Sequence, residues 1–257
     1  MRKVRIRRFK QSQWEETLDE VAEEGLLELH IEDGPKLAFV CTPADIQALV
    51  LGHLLSQGFV RKREEVLEYQ EEWDLSVGIP GEVARAKVRL AKRPSKSENK
   101  MFWSSCAENP PSFLDLNPLS PRPLFRPADL LSIPSKINEH IRSFRLTGAY
   151  HYAFIFDKSL GIVAVGEDIG RHNAVDKAIG KAFLLDQPLG ETLLFTTGRV
   201  TAETVAKALR AGVPLLVSQG AALLGAIHLA RTYNLGLIGF LRGRRFNLYT
   251  GEGWLKP

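Results

Sequence analysis

From Tyr152 onward, short apolar runs alternate with stretches of helical periodicity. Runs at 152–156, 162–166, 192–196, 214–218 and 235–241 have the length and composition of strands. Between the later runs, 173–185, 202–211 and 222–233 are candidate helices. In the first of these, Ala174, Val175, Ala178, Ile179, Ala182 and Phe183 fall on one stripe. This alternation predicts an α/β fold, a mainly parallel central sheet with helices on both faces. The run at 152–156 is expected to pair antiparallel with the next, because only a short turn separates them. Phe246 to Tyr249 adds a further strand.

Before this region the pattern is different. Leu26–Ile31 and Lys36–Cys41 flank Glu32-Asp33-Gly34-Pro35, a hairpin pair joined by turn chemistry. Thr42 is expected to cap a helix with Pro43 at its first position and Asp45 at the box position. Ile46, Leu49, Val50 and Leu54 form the apolar face of that helix, and Gly58 suits its end. Val66–Tyr69, Leu75–Gly78 and Val83–Leu90 are further short strands. Residues 1–91 thus predict a smaller N-terminal α+β unit. Eight of the chain's 14 prolines lie between Pro94 and Pro134, and 92–134 lacks clear periodicity, so a mobile Pro-rich loop is expected there. A helix resumes near Ile137–Phe144, and 135–257 forms the larger α/β domain.

Composition narrows the class. With 44% hydrophobic and 25% charged residues, the chain is globular. A net charge of +4 is a modest excess, so local clustering of cations matters more than the total, and no nucleic-acid partner is expected. No apolar run reaches the ~18 residues of a membrane span. The basic start, Arg2 to Lys10, is followed by acidic residues rather than an apolar core, which argues against an export signal and for the cytoplasm. Two cysteines, Cys41 and Cys106, form neither a disulfide framework nor a zinc cluster.

Candidate chemistry gathers at predicted strand ends. Glu167 to Gly180, EDIGRHNAVDKAIG, runs from a strand through a Gly170-Arg171-His172 joint into a helix that Asn173 is placed to cap. Thr197-Gly198-Arg199 follows the next strand, Ser218-Gln219-Gly220 another, and Arg242-Gly243-Arg244-Arg245 the last. Ligands of open α/β sheets settle beyond these ends. Glycine permits close backbone approach, and arginine's planar fork suits phosphate oxygens. Two readings stand at this point: an ordinary set of strand–helix corners with solvated arginines, or a site for a phosphate-bearing ligand. Neither a P-loop nor a GxGxxG motif is present, which disfavours P-loop ATP hydrolysis and dinucleotide oxidoreduction. Cys106, in a polar loop with Lys92, Arg93, Lys96 and Lys100 upstream, is the candidate nucleophile. Cys41 ends an apolar strand and reads as a small buried hydrophobe.

The string EDIGRHNAVDKAIG resembles the signature of the formate dehydrogenase accessory sulfurtransferases, the FdhD/NarQ family. Further similarity lies in Cys41-Thr42-Pro43-Ala44-Asp45, Leu51-Gly52, Ser56-Gln57-Gly58, Thr147-Gly148 with His151, Thr197-Gly198-Arg199 and Gly239-Phe240-Leu241-Arg242-Gly243. Ala149 replaces the second glycine of a family Thr-Gly-Gly. The resemblance implies a cytidine deaminase-like fold and a persulfide-bearing Cys106, matched by Ser104-Ser105-Cys106. Ala107 and Asn109 stand where the family carries glycine and a second cysteine. It also implies a cysteine desulfurase as sulfur donor and formate dehydrogenase as client. The cargo would be a molybdenum or tungsten bis-guanylyl pterin (Mo-bis(molybdopterin guanine dinucleotide)), bound as substrate with no protein-ligated metal. Phe240, Leu241, Arg242, Gly243, Arg244 and Arg245 would line its site, with Arg171, His172, Gly198 and Arg199 as wider contacts. A two-fold cargo suggests a homodimer. The rival readings are a non-catalytic cofactor-binding chaperone and a zinc deaminase. The latter is disfavoured because the corner at Thr197 carries no cysteine pair.

Overall fold

The computed structural model describes residues 1–74, 82–93 and 115–257. In chain order the strands and α-helices are β1 (Arg2–Lys10), β2 (Gln13–Val21), β3 (Gly25–Ile31), β4 (Lys36–Cys41), α1 (Ile46–Ser56), β5 (Val66–Asp74) and β6 (Val83–Leu90). There follow α2 (Pro127–Leu130), α3 (Ile133–Lys136), α4 (Arg142–Thr147), β7 (His151–Phe156), β8 (Ile162–Asp168) and α5 (Arg171–Leu184). The chain ends with β9 (Leu193–Thr196), α6 (Ala202–Arg210), β10 (Leu215–Ser218), α7 (Leu224–Thr232), β11 (Gly236–Arg242) and β12 (Arg245–Thr250). They make a six-stranded sheet β12-β11-β10-β9-β7-β8, a four-stranded sheet β4-β3-β6-β5 and a separate β1-β2 ribbon.

The large sheet is mixed, which corrects the expectation of a mainly parallel one. β9, β10 and β11 run parallel. β7 inserts antiparallel between β8 and β9, and β12 returns antiparallel on β11. Connection length decides this. The links from β7 to β8 and from β11 to β12 are tight turns, whereas a parallel crossover needs a dozen residues or more, supplied here by α6 and α7. β9 and β10 are buried without interruption, apolar up to Thr196 and Ser218 at their ends, because both faces are covered. Ala153, Ile155, Leu194, Leu216 and Leu237 pack in the cluster that also holds Ala178, Val205 and Ala226 of α5, α6 and α7. Phe154, Phe156, Leu193, Phe195, Leu215 and Val217 pack in a second cluster with Phe125, Leu130 and Ile133. Among the described residues the second face is covered by the short α2 and α3 with the chain around them, joined by Tyr150 and Leu255. The Pro-rich stretch is not uniform: Leu116, Phe125, Leu130 and Ile133 are buried, and Phe125 bridges to Leu255. The expected strand at Leu75–Gly78 and the 94–114 part of the loop lie outside the described residues.

The β3–β4 hairpin forms as its turn residues predict. Helix α1 begins later than expected, at Ile46. Thr42 does not cap it, because its backbone N–H donates to Asp168 and its hydroxyl accepts from Ile169 N–H. Asp45 directs its carboxylate to Lys181 on α5, at 2.7 Å. The expected helix near 137–144 is displaced to α3 and α4, with Pro134 in the first turn of α3.

α1 is buried on nearly every side, between the four-stranded sheet and α5. The two helices meet at Gly52 and Gly180, where an added methyl would overlap the Asp176 carbonyl and the Ala48 carbonyl respectively. Backbone, rather than side chains, fills this crossing. Gly52→Ala or Gly180→Ala is therefore expected to destabilise the fold by roughly 3 kcal/mol or more. Gly190→Ala, with open space around it, should leave the thermal midpoint unchanged. Thermal unfolding of the three variants, read by circular dichroism, measures the contrast.

Candidate ligand-binding rim

β8 to β11 share one direction, so their carboxyl ends lie on one edge of the sheet. Antiparallel β7 adds its amino end, with His151, to the same edge. The loops leaving these ends are stitched together. The Ser218 hydroxyl donates to the Gly198 carbonyl at 2.6 Å and accepts from Gly220 N–H at 2.8 Å. Gln219 N–H reaches the Thr196 carbonyl, and Phe240 N–H donates to the Gly220 carbonyl at 2.9 Å. Arg242 Nε donates to the Gln219 carbonyl at 3.3 Å. A methyl on Gly198 would sit 3.0 Å from Arg171 Cβ, and one on Gly220 would sit 3.0 Å from the Gly198 carbonyl. Arg171, Gly198, Gly220 and Phe240 thus form one continuous rim, and a side chain at either glycine would crowd its neighbours.

Along this rim, Arg171 is half-buried, and its Nε is buried without a hydrogen-bond partner. Arg199, Arg242, Gly243, Arg244 and Arg245 are exposed. None of the five arginines has a carboxylate within ion-pair reach among the described residues, unlike Arg85 or Arg89 on β6. Uncompensated guanidinium groups at one edge favour an anion. Phe240 is half-buried with φ 53°, and Arg242 lies over its ring at 5.7 Å. The irregular pairing between Gly239 and Arg242 leaves Leu241 fully buried in the apolar cluster shared with Ile238.

His172 lies deeper than its neighbour. Its ring is buried, Nε2 stands 3.6 Å from Glu203 of α6, and Nδ1 has no partner. Burial, aided by the Lys207 and Arg171 charges and opposed by Glu203, pushes its pKa down to about 4, so the ring is neutral near pH 7. His151, with its Nδ1 3.5 Å from the Thr197 hydroxyl, is also shifted downward, by burial and then by Arg171.

Behind the rim, sequence reasoning missed the roles of Asp168, Asp176 and Lys177. Asn173 is inside α5, whose cap is Gly170; its amide donates to the Val40 carbonyl and to Asp168. Lys177, fully buried, sits 2.7 Å from Asp168 and donates to the Thr42 and Glu167 carbonyls. The adjacent Asp176 accepts from Ser56 at 2.7 Å and pairs with Lys207 at 2.5 Å, with His53 at 3.4 Å. Burial alone would raise the Asp176 carboxyl, but Lys207 and His53 hold it well below the usual carboxylate range. The available signal was the placement of charges inside an otherwise apolar helical stripe.

Cys106 and Asn109 lie outside the described residues. Cys41 is buried, and burial, reinforced by Asp168, pushes its thiol up to about 12, so it holds no thiolate near neutrality. Among the described residues no group of His, Cys, Asp and Glu is placed to hold a metal ion. No helix there is long and apolar enough to cross a membrane.

The model of the FdhD/NarQ family matches residues 22–256. A sulfur carrier protein FdhD of Sulfurisphaera tokodaii is 35% identical over 238 residues, covering 90% of each chain. That of Mycobacterium tuberculosis is 34% identical, over 90% of this chain and 89% of its own. That of Geobacillus kaustophilus is 30% identical, over 96% and 94%. The fold is similar to a crystal structure of a protein described as a formate dehydrogenase accessory protein from Desulfotalea psychrophila, with TM-score 0.75, 24% identity and 98% of both chains covered.

Two outcomes follow from the buried charges. Asp176→Asn leaves the buried Lys207 ammonium with only the more distant Glu203, at 3.9 Å, and should cost about 3 kcal/mol in a urea titration. His172 has a folded pKa below its ordinary ~6.5, so its contribution is complete above about pH 6.5 and is lost as pH falls towards 4. The urea midpoint should decline across that window, and His172→Gln should flatten part of the slope.

Proposed function

The chain belongs to the FdhD/NarQ family, and from that premise we propose that it is a sulfur carrier for formate dehydrogenase maturation. In this reading the Cys106 thiolate attacks the outer sulfur of a cysteine desulfurase persulfide. A new S–S bond forms on Cys106 as the donor's S–S bond breaks and its thiolate leaves. The outer sulfur would then pass to a molybdenum or tungsten bis-guanylyl pterin, the substrate held at the rim: its bond to Cys106 breaks, the Cys106 thiolate leaves, and the metal, arriving in its reduced state, supplies the two electrons that make the sulfur a sulfide ligand. A cytoplasmic homodimer would present one rim to each guanylyl half. The finer description of the large sheet as cytidine deaminase-like belongs to the same proposal, without a zinc site.

The observation that carries the reading is the arginine-lined edge. Five guanidinium groups without carboxylate partners among the described residues lie beside Gly198 and Gly220, where a side chain would crowd its neighbours, an arrangement that suits a diphosphate. Arg171, with a buried unpaired N–H, and Arg242 would grip the diphosphate oxygens. Phe240 offers an aromatic face beside them. Leu241 would support the strand from within, and neutral His172 would donate to a phosphate or polarise the cargo rather than carry charge. Cys106 enters through Ser104-Ser105-Cys106 alone. Asn109, in place of a second cysteine, favours one alternative, a non-catalytic chaperone that shelters the pterin.

Incubation with cysteine and a desulfurase should add one sulfur atom to the Cys106 peptide, read by mass spectrometry, and Cys106→Ala should abolish it. In cells dependent on this chain, Cys106→Ala should also remove formate dehydrogenase activity; full activity would leave the chaperone reading standing. Arg171→Ala should weaken binding of guanosine diphosphate about 10- to 100-fold by calorimetry, the loss of one or two charge-assisted hydrogen bonds.

A further inference from the structure

The four-stranded sheet β4-β3-β6-β5 buries one face against α1 and, among the described residues, leaves the other open. Pleating sends Leu27, Leu29, Ala86 and Val88 inward and the residues between them outward. The strand register sets the outward side chains in rows that cross the sheet. Ala38, Glu28, Arg85 and Glu72 form one row, and Lys36, His30, Lys87 and Gln70 the next. Arg89 and Glu68 lie in the row beyond.

The outer two of these rows are balanced in charge. Arg85 pairs with Glu28 at 3.0 Å and with Asp74 at 3.1 Å. Arg89 pairs with Glu68 at 3.2 Å and with Glu32 at 3.7 Å. Between them Lys36, His30 and Lys87 stand side by side and exposed. None of the three has a carboxylate within ion-pair reach among the described residues. Basic groups set directly opposite one another across strands cost stability. Two hollows of about 420 and 340 Å³ adjoin this row, and His30 and Lys87 line both.

We infer that this row is the docking site for an acidic helix of a partner protein, laid across the strands. Two interstrand steps place Lys36 and Lys87 about 9.6 Å apart. Acids at i, i+4 and i+7 share one helix face and span about 10.5 Å, so three carboxylates match the three basic groups. Val40, 41% exposed, and Ala38 offer apolar surface to the flank of that helix. A helix there completes on the open face the layering that α1 supplies on the other. The bounded charge favours a protein over nucleic acid, because Glu28, Glu72, Glu68 and Glu32 border the row and repel a longer run of phosphates. None of α1 to α7 carries acids at this spacing, so the partner is a different protein and not a second copy. The surface stands independently of the rim and of the sulfur-carrier reading.

Two labelled helical peptides of one composition, rich in alanine and leucine, test it by fluorescence anisotropy. One carries Glu at i, i+4 and i+7; the other spreads the same three acids over different faces. At low salt the first should bind about tenfold tighter than the second, and added salt should weaken it. Lys36→Gln with Lys87→Gln should lower the affinity for the first peptide about tenfold. The thermal midpoint of that variant should hold or rise, since basic groups no longer face one another. No binding of the first peptide, equal affinity for both, or undiminished affinity of the double variant would each overturn the inference. So would a lower midpoint of that variant, or tighter binding of a short DNA duplex than of the first peptide.

Discussion

Two ammonium–carboxylate pairs, both anchored on α5 and both shielded from water, hold the molecule together. Lys177 with Asp168 ties the start of α5 to the end of β8 and to the chain at Thr42. Asp176 with Lys207, Ser56 and His53 ties α5 to α6 and α1. A charge withdrawn from water is tolerable only with its counter-charge in place. The four-stranded sheet, α1 and α6 must therefore all be docked before α5 can settle. The apolar cluster running from β3 through α1 and α5 to β11 expresses the same dependence in packing.

The rim inherits its rigidity from this arrangement. Gly170 N–H bonds to Asp168, so the corner that presents Arg171 is gripped from behind by the buried lysine's partner. The insertion of β7 between β8 and β9 separates that corner from the Thr197–Arg199 loop by one strand and brings His151 between them. Ser218 then bonds the next loop to its neighbour through the Gly198 carbonyl. Cations that would repel one another in a loose array are held by backbone that does not depend on any bound anion.

What the sequence disclosed follows from periodicity. β7 to β12 and the helices α5 to α7 were legible because buried faces repeat every two or 3.6 residues. The alignment of arginines and glycines at strand ends was legible for the same reason, since the ends of the runs locate the edge. The antiparallel place of β7 was readable from a short turn, but its position between β8 and β9 was not, because sheet order depends on contacts remote in sequence. The ribbon β1–β2 was missed because charges occupy more than half of its positions and hide the alternation. The roles of Asn173, Asp176 and Lys177 were missed since nothing local distinguishes a solvated polar group from one whose partner arrives from 133, 31 or 135 residues away. Thr42 illustrates the same competition: a good helix cap was taken by a better-placed tertiary acceptor.

The irregularity in β11 has a consequence for how the rim tolerates change. With Phe240 in a left-handed backbone conformation, the strand loses its alternation for one step, and Ile238 and Leu241 face the same cluster. Spacing, more than chemical identity, keeps the guanidinium tip aimed outward. Ordinary pleating over the same number of residues would turn Leu241 outward and drive the Arg242 guanidinium inward, even with every arginine retained.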